Sequence, residues 1–103
     1  MAFHVYHRYG ACDSNPSFDS FDALYDELAA DDDEHPSVSV EHESAWSLGA
    51  YGGGLLVWEN VEDGEPMHMT GVSRADVLRL WRLLANGDID AVASESWQSG
   101  YGN

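Results

Sequence analysis

Five histidines, nineteen carboxylates and one cysteine, Cys12, are the groups of this chain that could do chemistry. A metal centre would need His and carboxylate ligands converging on one surface. His4 and His7 are an odd number of residues apart in an alternating segment, so they face opposite sides of a strand. His42 stands between Glu41 and Glu43, and the same alternation turns both carboxylates away from it. Neither C-x-x-C nor H-E-x-x-H occurs. Carboxylate catalysis needs two acids facing each other with separated pKa values. With so many acids, chance pairs carry no information. No G-x-S-x-G turn occurs, and Cys12 lies in a polar stretch without a base in its motif context. Gly52, Gly53 and Gly54 lack the Lys-Ser/Thr and following helix of a phosphate loop, and read as a tight turn. The expectation is a protein that is not an enzyme and holds no metal or cofactor.

Charge is the remaining chemistry. Nineteen acids stand against four basic residues, all Arg, for a net charge of -15. Small soluble domains usually stay within a magnitude of about 8. Such a surface has no basic groups to spare for phosphates and is repelled by anionic membranes, so direct nucleic-acid or membrane binding is not expected. A basic protein would be attracted. Residues 1–65 carry nearly all of the excess, with a net of -14. The densest run is Asp31, Asp32, Asp33 and Glu34, placed where a helix is expected to end. A helix C-terminus carries partial negative charge and favours cations, so the run opposes both the dipole and itself. It has three readings: a solvated loop, a surface adapted to dense salt, or a patch that steers a basic partner. Asp outnumbers Glu and Lys is absent, as a salt-adapted surface would have it. Steering by clustered acids speeds encounter and fixes orientation, and this is the reading preferred here.

The elements that must position these groups follow from periodicity. The chain is long enough for one domain, residues 1–103, with a single modest core. Residues 2–9 alternate as a strand, with Phe3, Val5 and His7 on one face and His4, Tyr6 and Arg8 on the other. Residues 10–17 are loop chemistry. In residues 17–30, Phe21, Leu24, Tyr25 and Leu28 make a helical apolar stripe, capped by Asp19 or Ser20. It must end before Pro36. Residues 37–43 are the clearest strand, with Val38 and Val40 inward and Ser37, Ser39, Glu41 and Glu43 outward. Two more strands flank the Gly52–54 turn, and Asp63-Gly64 turns the chain into a short strand through Met67 and Met69. A second helix starts at Ser73, with Asp76 at the capping-box position. It buries Val77, Leu80, Trp81 and Leu84, and stops at Asn86-Gly87. Residues 87–97 fit a short helix or an extended segment. The tail 98–103 is expected to be loosely ordered. The resulting fold class is α+β: an antiparallel meander with two helices packed on one face, in the order β-α-β-β-β-β-α.

On these elements the chain resembles the small acidic immunity proteins of bacterial polymorphic-toxin and contact-dependent inhibition systems. The residues that carry the resemblance are the Leu- and Asp-rich helix Ser20 to Leu28 after an opening strand, and the Gly-led apolar strand Gly53 to Trp58. The closing helix Val77 to Ala85, followed by Trp97, completes it. Before that Trp the family's usual Gly-x-x-Pro link is replaced by Gly87-Asp88-Ile89-Asp90. The resemblance implies sequestration of a cognate toxin, and no invariant active residues.

Together these readings predict a cytoplasmic monomer or homodimer that occludes a basic protein toxin, for instance a nuclease. The opening residues show no apolar core of signal-peptide length. Asp31, Asp32, Asp33 and Glu34 would steer. Glu41, Glu43, Glu59, Glu62, Asp63 and Glu65 would extend the patch, and Tyr51 and Trp58 would anchor it. The alternatives are a salt-adapted protein whose acids serve solvation, and a small enzyme or ligand-binding domain.

Overall fold

The computed structural model describes residues 3–7, 12–14, 17–29, 37–62 and 64–100. Strand β1 (Phe3–Tyr6) turns back into a three-residue β2 (Cys12–Ser14). Helix α1 (Ser20–Asp26) follows and tightens into a 3₁₀ turn, Glu27–Ala29. Then come β3 (Ser37–His42), β4 (Trp46–Tyr51), β5 (Leu55–Asn60) and β6 (Met67–Met69). Helix α2 (Arg74–Ala85), helix α3 (Ile89–Ala93) and β7 (Gln98–Ser99) close the order. Among the described residues the strands form one sheet, β2-β1-β3-β4-β5-β6-β7, antiparallel throughout. The expected α+β core is present, with β2, α3 and β7 added to the expected order.

Period-two alternation gives the sheet two unlike faces. Val5, Val40, Leu48, Trp58 and Met67 share one cross-strand row, and Val38, Ala50, Leu56 and Met69 share the next. These face the helices. Phe21 and Leu24 of α1, Val77, Leu80, Trp81 and Leu84 of α2, and Val92 of α3 join them in one core. Phe21 meets the Trp81 ring edge-on at 6.0 Å between centroids. The Trp81 indole N–H donates to the Leu48 carbonyl at 3.0 Å, fixing α2 on the middle of the sheet.

Helix α2 starts as its sequence requires: the Ser73 hydroxyl accepts from the Asp76 N–H at 3.2 Å. It ends at Gly87, whose φ of 83° lets the Gly87 and Asp88 amides bond back to Leu84 and Leu83. The start of α1 differs from expectation. Asp19 holds the cap position without a side-chain bond. Ser17 does the work instead: its hydroxyl accepts from the Asp19 N–H, and its carbonyl accepts from the Ser20 N–H and hydroxyl. Residues 98–100 are tied to the sheet, while 101–103 lie outside the described residues. Gln98 and Ser99 pair with β6, and the Gly100 N–H donates to the Pro66 carbonyl at 2.9 Å.

The β3–β4 connection is a tight turn in which the Ala45 N–H donates to the His42 carbonyl. Ala45 has φ of 74°, a left-handed conformation that costs a non-glycine residue about 1–2 kcal/mol. Its carbonyl accepts from Val61 at 2.9 Å, so the β3–β4 and β5–β6 connections lie side by side at one end of the sheet.

Candidate functional site

Among the described residues, α1, α2 and α3 all contribute to the core on one face of the sheet. The outward residues make three cross-strand rows on the other face. His4, Glu41, Ser47 and Glu59 form the row nearest the β3–β4 turn. Tyr6, Ser39, Gly49, Val57, His68 and Gln98 form the middle row. Ser37, Tyr51 and Leu55 form the third.

Local chemistry explains each row. Adjacent strands stand about 4.8 Å apart, so Glu41 and Glu59 project about 10 Å from each other across Ser47. Ser47, small and buried, stands between them in the row. His4 beside them is held by its Nδ1 on the Ser14 hydroxyl at 3.0 Å. In the middle row a Cβ on Gly49 would stand 3.8 Å from Tyr51 Cε1, so the Tyr51 ring lies back over the glycine. Tyr6 is 37% exposed. Glu41's negative charge, then burial, then the Cys12 thiol beside it hold the Tyr6 phenol above its ordinary pKa. His68 is fixed by Nδ1 against the Gly100 carbonyl at 3.0 Å.

The turns at the Glu41 end add to the same charge. Glu43 is exposed between β3 and β4, and Glu62 and Glu65 are exposed between β5 and β6. Val61, next to Glu62, is 55% exposed, an apolar side chain in an acidic rim. Asp31, Asp32, Asp33, Glu34 and Asp63 lie outside the described residues. The strand that follows the acidic run begins at Ser37, at the end of the sheet away from Glu43.

One expectation needs correction. Trp58 is not a surface anchor: it is 0% exposed and faces the helices. Its ring stacks on Trp46 at 4.4 Å and on Trp97 at 6.1 Å, on the opposite side of the sheet from Glu41 and Glu59. Leu55 to Trp58 is continuously apolar, so no alternation marks which side chain faces in. Tyr51, by contrast, is half-buried on the outer face. The exposed large apolar side chains that sequence reasoning passed over are Tyr6 and Val61. Tyr6 had a usable signal, because the alternation of β1 already placed it outward.

Among the described residues the cations are segregated; Arg8 lies outside them. Arg74, Arg79 and Arg82 all belong to α2. Arg74 pairs with Asp22 at 3.3 Å and Asp26 at 3.4 Å of α1, and stands over the Tyr25 ring. Arg79 pairs with Asp76 and with Glu95 just after α3. Among the described residues no Arg or Lys lies on the outer face of the sheet.

Of the cavities lined by described residues, one of about 220 Å³ lies between Tyr25, Leu28 and the Gly52-Gly53 turn. Another, of about 190 Å³, is bordered by Met69, Val72, Asp76, Arg79 and Glu95. Its charged side chains are already paired with one another. Among the described residues no group of three or more His, Cys, Asp or Glu side chains is placed to hold a metal ion, and no helix is long and apolar enough to cross a membrane. His42, the central residue of E-H-E, is buried, and its Nδ1 accepts from the Ser44 N–H at 3.1 Å.

Comparison with known proteins gives no relative: no family model, no curated protein and no solved structure matches the chain significantly.

Proposed function

We propose that this chain is an immunity-type binding protein that docks a basic protein toxin on the open face of its sheet. The observation that carries the reading is the separation of charge between layers. The arginines of α2 sit among acids on the helical side, while the outward rows of the sheet carry acids and, among the described residues, no Arg or Lys. Glu41 and Glu59 give this face negative charge for a partner's Lys or Arg. Tyr6, Tyr51 and Val61 supply apolar contact, and Glu43, Glu62 and Glu65 supply a rim. The large net negative charge steers the encounter. On this reading the chain acts in the cytoplasm by covering the toxin, with no chemistry of its own.

Carboxylate footprinting tests the face. A basic partner is captured from the source cytosol, purified, and mixed with the chain. Exposed acids are then labelled with carbodiimide and an amine. Glu41, Glu43, Glu59 and Glu62 should lose several-fold reactivity in the complex, while Asp88 and Asp90 keep theirs. Co-expression should also restore growth to a bacterial host poisoned by that partner. Protection of the α3 acids with Glu41 and Glu59 unchanged would move the interface to the helical layer and refute the proposed face.

A further inference from the structure

His7 lies just beyond β1 on its inward side, and both ring nitrogens are engaged. Nδ1 meets Glu27 Oε2 at 2.6 Å, and Nε2 meets Asp13 Oδ2 at 2.6 Å. The two carboxylates come from different parts of the chain. Asp13 is the middle residue of β2, and Glu27 opens the 3₁₀ turn after α1. We infer that His7 is a proton-dependent latch that fastens the β1–β2 edge hairpin to the helical layer.

A carboxylate only accepts, so a ring that bonds two of them must donate twice, which only the imidazolium can do. A neutral ring has one N–H. Its other nitrogen would turn a lone pair toward a carboxylate oxygen 2.6 Å away, and that contact is repulsive. Loss of the proton therefore breaks one arm.

The surroundings decide which. The Glu27 side chain is 27% exposed and that of Asp13 59%, so Asp13 loses less by turning to water. The ring then stays on Glu27 through Nδ1–H, and β2 loses its tie. Asp13 is the β2 residue on the inward side; Cys12 and Ser14 pair with the outward Tyr6 and His4. Among the described residues, the charged groups facing the ring are Glu27 from the 3₁₀ turn and Asp13 from β2. On its other side β1 pairs with β3, which turns Val38, Val40 and His42 inward; of these only His42 is titratable, and it pairs with Phe3 at the opposite end of β1 from His7.

The His7 pKa is raised. The Glu27 hydrogen bond is the largest cause and the Asp13 bond the next, with burial opposing them. A raised folded-state value means that the latch adds stability fully below the unfolded-state value of about 6.5. That contribution is lost as pH rises through the folded-state value.

Ring NMR and amide exchange on the intact chain test this together. His7 should titrate above the ordinary histidine range, with Nε2 losing the proton. Protection of the Cys12–Ser14 amides, corrected for intrinsic exchange, should fall about tenfold across that titration, the value of one charge-assisted hydrogen bond. His7→Gln should abolish this pH dependence. Asp13→Asn, at an exposed position the fold tolerates, should lower the His7 pKa and flatten the profile at β2. A His7 titration at or below the ordinary value overturns the latch. So does a β2 protection profile that is the same in the wild-type chain and Asp13→Asn.

Discussion

Trp81→Ala leaves the chain largely unfolded at room temperature. Trp81 is fully buried at the centre of α2 and touches both other anchors of the helical layer, with Phe21 at 6.0 Å and Tyr25 at 6.3 Å between ring centroids. Truncating a buried Trp costs about 3–5 kcal/mol through lost burial and the cavity left behind. The indole hydrogen bond to the Leu48 carbonyl adds about 1 kcal/mol. Domains have about 5–15 kcal/mol in total, and this one works against its own net negative charge. Trp81→Phe separates the contributions, since it keeps most of the aromatic contact and loses the N–H; about 1–3 kcal/mol is expected. Urea unfolding followed by far-ultraviolet circular dichroism measures both. A Trp81→Ala midpoint close to wild type would mean that α2 does not organise the core.

Glu41→Lys combined with Glu59→Lys weakens binding of the basic partner on the order of 100-fold, because like charges brought together at an interface cost several kcal/mol. Much of the loss should appear in the association rate and in a flatter salt dependence, because steering is removed along with contact. Folding should survive, since both side chains lie on the outer face and the net negative charge falls. The control is Asp88→Lys with Asp90→Lys. These acids are exposed around the start of α3, on the helical side, and their replacement changes total charge by the same amount. Calorimetric titration should find the control within a few-fold of wild type. Equal losses in the two double variants would mean that total charge, and not the sheet face, attracts the partner.

The parts of the fold that were legible are those in which a residue's neighbours along the chain decide its environment. Helix α2 carries its own cap, stripe and stop in Ser73, Leu80, Trp81 and Gly87, and forms as written. Strand β3 alternates because one of its faces is dry and the other wet, so Val38, Val40 and Glu41 declare their sides. The edge strands are silent for the opposite reason. All three β2 residues and both β7 residues are exposed, so no alternation records them. Trp58 was misplaced because an all-apolar strand has no period; its orientation comes from the register with Leu48. The His7 bridge is invisible in sequence, because its partners lie six and twenty residues away and meet only through the fold. The acids Glu41 and Glu59 were legible as residues. Their placement in one row on either side of Ser47 required the register of three strands.

The central claim is that the acidity of this chain is directed at a partner and not at salt. Burial from water of one apolar core joining α1, α2 and α3 to the sheet favours folding without requiring dense salt. Salt-adapted acids would behave otherwise, needing dense counter-ions to relieve their repulsion. Thermal unfolding of the purified chain at about 50 mM and at molar KCl separates the two, the lower salt leaving exposed charges weakly screened. The account predicts one cooperative transition already at low salt, with molar KCl raising the midpoint only modestly. A chain that folds only in molar KCl would contradict it, and would make Glu41, Glu59 and the acidic run a solvation surface.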